Sequence, residues 1–316
     1  MLLITNEMHY DPPPLAPGDI SLVHPWRSRA GMAEGRAALA RARRFRPDVV
    51  VTEEARDPRF LALALAQRGA PIIYSTHDHR AHDAANARAP MARLSIAALD
   101  RRCALEVTFS EFVASHRRGR GHPVAVVPLT SEMAESMTPQ VMPAEGRRDF
   151  LAIGRLSAYK NIRLCIEAFQ LHRQSPAYRG DRLVLVGKGD PGCHIPDEVE
   201  WIDERYSFET LVPRLAAAKA SLVMYSTGSQ SGVQVINMQC GTRSLVSPVG
   251  GFPEYLPDGE RPISIDGPEA LAAAFDELAD PERAAFDGAL NQERYQRIYS
   301  ASASGQAWSQ VLQTVT

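Results

Sequence analysis

Residues 150–161 read Phe150-Leu151-Ala152-Ile153-Gly154-Arg155-Leu156-Ser157-Ala158-Tyr159-Lys160-Asn161. Four apolar residues make a short strand, a glycine ends it, and a helical pattern follows from Asn161 to His172. A glycine at that point lets the backbone turn tightly and come close to a ligand. Arg155 and Lys160 flank the turn. Two cations beside a helix N-terminus suit a doubly charged pyrophosphate. A charge-assisted hydrogen bond contributes roughly 1.5–3 kcal/mol, so two would supply much of a micromolar affinity. The competing reading of the same residues is an ordinary strand–turn–helix with solvated charges. The chain's basic residues are almost all arginine, and its lysines are Lys160, Lys188 and Lys219. A lysine kept against that bias supplies a compact point charge where arginine supplies a planar fork.

Working outward, the same alternation of short apolar strands and helical patterns runs in both directions, the signature of parallel sheets with crossover helices. Towards the carboxyl terminus, strands are expected at Phe150–Ile153, Leu183–Val186, Val199–Ile202, Ser221–Met224 and Ser244–Ser247. Helices are expected near Asn161–His172, Ser207–Lys219, Val233–Gln239, Pro268–Leu278 and Pro281–Leu290. Towards the amino terminus, strands are expected at Leu2–Thr5, Ser21–His24, Val49–Thr52, Ile72–Ser75, Leu105–Phe109 and Val124–Val127. The helices between them lie near Gly31–Phe45, Arg59–Gln67, Asn86–Arg102 and Ser110–Arg118. The rhythm fails between Thr130 and Arg148, which is polar, dotted with methionine and carries Pro139 and Pro143. The expected organisation is a first Rossmann-like domain over 1–130, a linker over 131–149 and a second Rossmann-like domain over 150–291. A terminal helical stretch over 292–316, with Tyr295, Tyr299, Trp308 and Leu312, is expected to pack back on the first domain.

A chain of 316 residues exceeds one typical α/β core, which agrees with two domains. A net charge of -2 argues against bulk nucleic-acid binding. The cysteines, Cys103, Cys165, Cys193 and Cys240, form no C-x-x-C pair, so neither a zinc site nor a disulfide framework is suggested, and a reducing cytoplasm is expected. The apolar start reads as a first strand, not as a signal peptide.

Three further segments of the second half carry chemistry. Val184-Leu185-Val186-Gly187-Lys188-Gly189-Asp190 is a buried strand ending in a glycine-flanked turn. Ligands of open α/β sheets bind beyond strand carboxyl ends, although a purely structural turn is the more economical reading. Ser226-Thr227-Gly228-Ser229-Gln230-Ser231-Gly232-Val233 is a small polar loop that feeds a helix, and backbone amides at such a start form an anion nest. Its alternative role is capping by Ser229 and Ser231. Val249-Gly250-Gly251-Phe252-Pro253-Glu254 follows the next strand, where Glu254 in a first helical turn would favour the dipole.

These segments, in this order, resemble the second domain of retaining GT-B glycosyltransferases of family 4, the glycosyl transferases of group 1. The pattern there is G-R-L-x-x-x-K, then V-G-x-G, then a glutamate pair ending in C-G-T, then V-G-G-x-P-E. The resemblance spans roughly Phe150 to Gly259. It implies an α/β GT-B fold, two Rossmann-like domains with parallel sheets facing across a cleft, and an NDP-sugar donor held mainly by the second. Arg155 and Lys160 would contact the diphosphate, while Gly187, Gly189, Ile202 and Tyr206 would lie near the nucleotide. The chain departs from the pattern at the glutamate pair, which would fall at Gly228 and Ile236. The loop instead resembles a branch with Q-S-G-V at this place. There Ser231, Gly232 and Val233 would grip the phosphates, and Gln230, with Glu254, would face the sugar or nucleotide.

In the first domain, Thr76-His77-Asp78-His79-Arg80-Ala81-His82 follows an expected strand. The spacing matches no known metal-ligand pattern, and no metal or other cofactor is expected. The family places a histidine here against the donor sugar, which makes His77 the catalytic candidate, with Asp78 orienting it or capping the next helix. The loop Asn6–Pro14 offers Glu7, His9 and Tyr10 to the acceptor side. Arginines 36, 41, 43, 44 and 46, and the cluster Arg117, Arg118, Arg120 and His122, could attract anionic lipid at about 1 kcal/mol per cation. A solvated surface is the plainer account of both.

The expected activity is retaining transfer of a sugar from an NDP-sugar to a hydroxyl of a glycan or lipid-linked acceptor. The expected setting is polysaccharide or glycoconjugate biosynthesis in the cytoplasm, with peripheral contact at the inner membrane face. Two rivals stand beside it: an NDP-sugar epimerase on the same fold, and a degenerate module that binds nucleotide or a partner without catalysis.

Overall fold

The computed structural model describes residues 1–6, 17–53, 57–79 and 90–316, with the side chains of 90–92 excepted. Glu7, His9 and Tyr10, and the expected start of a helix at Asn86, lie outside the described residues.

The first half runs β1 (Ile4–Asn6), β2 (Ile20–Leu22), α1 (Arg29–Phe45), β3 (Val50–Glu53), α2 (Pro58–Leu65), β4 (Ile72–Thr76), α3 (Pro90–Arg102), β5 (Leu105–Thr108), α4 (Glu111–Arg117) and β6 (Val124–Val126). β3, β4, β5 and β6 form a parallel sheet in that order, and β1 and β2 make a separate parallel pair. α2 joins the two groups. Leu63 packs with Leu22, Ala38 and Ala42, while Ala64 packs with Ile72 and Tyr74.

The second half runs β7 (Arg148–Ile153), α5 (Ile162–Gln174), β8 (Leu183–Val186), β9 (Val199–Ile202), α6 (Phe208–Ala217), β10 (Ala218–Val223), α7 (Gly232–Gln239), β11 (Arg243–Val246), α8 (Glu269–Leu278) and α9 (Pro281–Arg294). Its sheet has the order β11-β10-β7-β8-β9 with every pair parallel. Alternate residues of β7 and β8 serve opposite faces, as a pleated strand requires. Phe150, Ala152, Leu183 and Leu185 join a core with α5 and α8. Leu151, Ile153, Val184 and Val186 join another with Leu211, Leu215 and Ile236 of α6 and α7. Both faces are therefore covered, which is why these strands read as continuous apolar runs. The protein is an α/β chain of two Rossmann-like domains.

The helix expected to run to Lys219 stops earlier. α6 ends at Ala217 and β10 begins at once at Ala218. Ala216-Ala217-Ala218-Lys219-Ala220 contains no turn residue to mark the change, and Ala218 is drawn into extended conformation by pairing with Arg148.

Residues 131–147 are held on the second half. Met133 packs with Leu151 and Ile236. The Gln239 amide donates to Thr138 Oγ1 at 2.9 Å, and Gln292 donates to the Pro139 carbonyl at 2.9 Å. After α9 a π-helical turn, Tyr295–Tyr299, leads into α10 (Ala301–Gln313). Tyr295 and Tyr299 pack on Val235 and Met238 of α7. Val311, with Ala307, Trp308 and Leu312, covers Ile73, Leu105 and Val107 of the first sheet. Among the described residues, no helix is long and apolar enough to cross a membrane.

Candidate functional site

In the second sheet, β7 is the strand from which the order departs in both directions, to β8 on one side and β10 on the other. Such a switch point opens a crevice beyond the strand carboxyl ends. Gly154 follows β7 there with φ +95°, a left-handed conformation that disfavours side chains. Space demands glycine too, because a Cβ on residue 154 would stand 2.8 Å from Lys160 Nζ. The ammonium fills the volume that a side chain would have taken.

Lys160 is 5% exposed. Its Nζ donates to the Ile153 carbonyl at 2.5 Å and to the Tyr225 hydroxyl at 3.0 Å, and lies 4.8 Å from the Tyr225 ring centre. All these partners are neutral. Burial, with a smaller contribution from Arg155, lowers its pKa to about 8. Arg155, by contrast, is exposed.

The Gly187–Gly189 turn is built into this same corner. The Leu156 amide donates to the Lys188 carbonyl at 2.8 Å, and Asp190 N donates back to Leu156 O at 3.1 Å. A Cβ on Gly189 would lie 2.0 Å from Leu156 O, so the close backbone contact excludes any side chain. Gly187 N donates to Ile202 O at 3.0 Å, which carries the end of β9 into the group. Tyr206 is half-buried, with its hydroxyl 3.8 Å from the Cβ position above Gly154.

The loop after β10 completes the crevice. Ser231 stands at the N-cap of α7 but makes no capping hydrogen bond. Gly232 and Val233 supply first-turn amides, which have no acceptor within the helix. Ser229 Oγ and Gln230 Oε1 are buried without a hydrogen-bond partner. Buried polar groups are rarely left so. The missing acidic pair has a local explanation. A Cβ on Gly228 would lie 2.1 Å from the Phe252 ring, and Ile236 is buried in the core.

Glu254 is committed elsewhere. Its two carboxylate oxygens accept from the backbone amides of Glu111 at 2.6 Å and Phe112 at 2.7 Å. A glutamate expected beside the donor thus closes the start of α4 in the other domain, where an anion complements the helix dipole. Tyr255 OH donates to Phe109 O at 2.5 Å, and Ser110 Oγ donates to Ser229 O at 3.4 Å. Every segment in these contacts follows the carboxyl end of a strand, so the two sheets present their carboxyl edges to one another. Only the folded chain reveals this seam, since Glu254 and Phe112 are 142 residues apart.

His77 leaves β4 on that shared edge, half-exposed and tilted over the Phe109 ring at 4.5 Å. Its Nε2 lies 3.9 Å from Glu53 Oε1, at the end of β3. Asp78 is half-buried beside it. Sequence reasoning passed over Glu53, whose place at a neighbouring strand end was the available signal. The two arginine clusters differ. Arg117 is buried between Asp100 and Glu106, His122 reaches Glu106 at 2.8 Å, Arg118 pairs with Glu111, and Arg120 pairs with Asp100. That cluster is paired with carboxylates of its own domain. Arginines 36, 41, 43, 44 and 46 remain exposed on α1 and its end.

Known proteins fit this arrangement. Residues 1–145 match the glycosyl transferase 4-like domain family, and residues 147–280 match the family of glycosyl transferases group 1. Sucrose-phosphate synthase from Thermosynechococcus elongatus superposes with a TM-score of 0.73 at 17% identity, over 99% of this chain and 88% of that one. HepE of Anabaena, solved with UDP and glucose, superposes with a TM-score of 0.68 at 15% identity, over 94% and 86%. A trehalose-6-phosphate synthase superposes with a TM-score of 0.60 at 12% identity, over 92% and 80%. No curated protein matches the chain in sequence. The structural likenesses speak to the fold, and the family matches follow one another in order over nearly the whole chain. The protein belongs to the group 1 glycosyltransferases and has their GT-B fold.

Proposed function

We propose that this glycosyltransferase moves a sugar from a nucleoside diphosphate sugar to a hydroxyl of a glycan or lipid-linked acceptor, with retention at the anomeric carbon. The observation that carries the reading is Lys160, a buried ammonium at the switch point with no acidic partner among the described residues, bonded to Tyr225, which packs with the first turn of α7. A doubly charged diphosphate is the ligand that such a site lacks. HepE, which shares the fold, has been solved with UDP and with UDP-glucose.

Cleavage of the sugar–phosphate bond places charge on the departing diphosphate. Lys160, Arg155 and the Ser231–Val233 segment stabilise that charge as it develops, a role that requires no metal. Gln230, with its buried oxygen unsatisfied, faces the sugar, and Gly187, Gly189, Ile202 and Tyr206 shape the nucleotide end. His77 contacts the donor sugar from across the crevice, with Asp78 orienting it. Among the described residues none is assigned as a covalent nucleophile, and the acceptor attacks from the face that the leaving phosphate vacates. Motion of one domain on the other about the 131–149 segment closes the crevice on the donor. The setting is glycoconjugate assembly in the cytoplasm, with α1 turned to the anionic inner face of the membrane.

The absent acidic pair at Gly228 and Ile236 favours one other reading, a nucleotide-binding module without catalysis. Release of nucleoside diphosphate from UDP-, GDP-, ADP- and dTDP-sugars, measured with and without glycan and lipid-linked acceptors, separates the two. Acceptor-dependent release above background, with the α-configured donor giving an α-linked product by proton NMR, is the expected result. Tight binding without turnover on any pair would leave the non-catalytic module. Donor turnover to an altered free sugar without any acceptor would indicate an epimerase.

A further inference from the structure

We propose that Tyr225 is a positioning residue of the diphosphate site: its phenol fixes the Lys160 ammonium. The inference rests on the donor-site reading above. Tyr225 lies just beyond β10, across the switch point from Gly154. Its ring is buried and held by two edge-on contacts, with Tyr159 at 5.4 Å and 87° and with Phe252 at 5.5 Å and 88°. Its carbonyl accepts from Ser247 Oγ at 2.7 Å, which fixes the backbone. The tyrosine is therefore anchored on three sides before it touches the lysine.

An ammonium has three donors. For Lys160 one goes to Ile153 O and one to the Tyr225 hydroxyl. The third remains for a phosphate oxygen, and its direction is set by the other two. The same tyrosine packs with Val233 in the first turn of α7. One side chain thus bonds the cation after β7 and packs with the first turn of α7. Binding at a site already in register avoids the ordering that a loose lysine would require. The titratable groups facing Lys160 are Tyr159, Arg155, Cys165 and Tyr225, and none is a carboxylate. The phenol is therefore the principal polar side chain holding this cation.

The test is calorimetric titration of UDP into wild type, Tyr225→Phe and Lys160→Ala, from neutral to alkaline pH. Wild-type affinity should hold near neutrality and fall above about pH 8, where free Lys160 loses its proton. Tyr225→Phe keeps the ring and its two aromatic contacts. It should bind UDP roughly tenfold more weakly, about 1.4 kcal/mol, and its alkaline fall should begin at lower pH, because the ammonium has lost an acceptor. A merely structural tyrosine would leave that break where it was. Wild-type affinity and an unmoved break in Tyr225→Phe, with binding lost in Lys160→Ala, would overturn the proposal and leave the donor site standing. Unaltered binding in Lys160→Ala would instead remove the donor site itself. Should Tyr225→Phe fail to fold by circular dichroism, 3-fluorotyrosine at position 225, a poorer acceptor, asks the same question. Weaker binding with a lowered break supports the proposal, and an unchanged profile overturns it.

Discussion

Lys219 and Lys160 sit at opposite edges of the second sheet and are equally buried, 4% and 5% exposed. Lys219, at the amino end of β10, donates to Asp181 and to the Ala279 carbonyl at 2.6 Å each. Behind Asp181 stands His172, 3.5 Å away, which is bonded in turn to Asp276 at 2.5 Å. Burial opposes the charge on His172, but the carboxylates of Asp181 and Asp276 prevail and raise its pKa. Lys160, at the carboxyl edge, has a carbonyl and a phenol. The amino edge closes its charges on one another, whereas the carboxyl edge keeps a cation uncompensated. A buried charge without a partner costs stability, and it persists where a ligand of opposite charge supplies what the fold does not.

The comparison breaks first at Lys219. Lys219→Met removes the cation hydrogen-bonded to Asp181 and should destabilise the protein by about 3–5 kcal/mol in urea unfolding, with UDP affinity unchanged in the protein that remains folded. Lys160→Met should do the reverse. Burial lowers the Lys160 pKa from 10.5 to about 8, which sets a linkage of at most roughly 3 kcal/mol. The sign follows from a depressed base: the penalty is fully present below pH 8 in the wild type and fades as pH rises towards 10.5. The variant should therefore melt higher than wild type at neutral pH, lose that advantage in alkaline buffer, and fail to bind nucleotide. A lower melting temperature at neutral pH would place Lys160 with Lys219 as a structural cation.

Smaller effects sharpen the picture at the seam between domains. Glu254→Ala leaves two α4 amides without acceptors and should cost about 0.5–1 kcal/mol. Small-angle scattering should show a larger radius of gyration as the carboxyl edges part; unchanged dimensions would mean that Tyr255 and Ser110 hold the seam alone. Arg155→Ala, at an exposed position, should leave the melting temperature where it is and weaken UDP binding several-fold. No loss of affinity would show that Lys160 and the α7 amides hold the diphosphate without it.

Much of this was legible in the residue order. The strand–helix rhythm located the sheets because a doubly covered parallel strand must be apolar throughout, and Gly154 with Lys160 stood out at a strand end. The α6–β10 junction was not legible, because alanine and lysine tolerate both conformations and pairing with β7 decided the matter. Nor was the depth of Lys160, which depends on Tyr225, or the use of Glu254, whose partners belong to another domain. Gly187 and Gly189 were seen as turn residues. Their closeness to Gly154 and Leu156 appears only once β7 and β8 lie side by side.

The central claim is that the uncompensated cation belongs to a nucleotide diphosphate. Calorimetry of UDP, GDP, ADP and dTDP with wild type, Lys160→Ala and Lys219→Ala tests it most directly. The account predicts tight binding of one nucleotide, weakened tenfold or more by Lys160→Ala and untouched, in folded protein, by Lys219→Ala. Failure of all four to bind wild type, or equal loss in both variants, would contradict it.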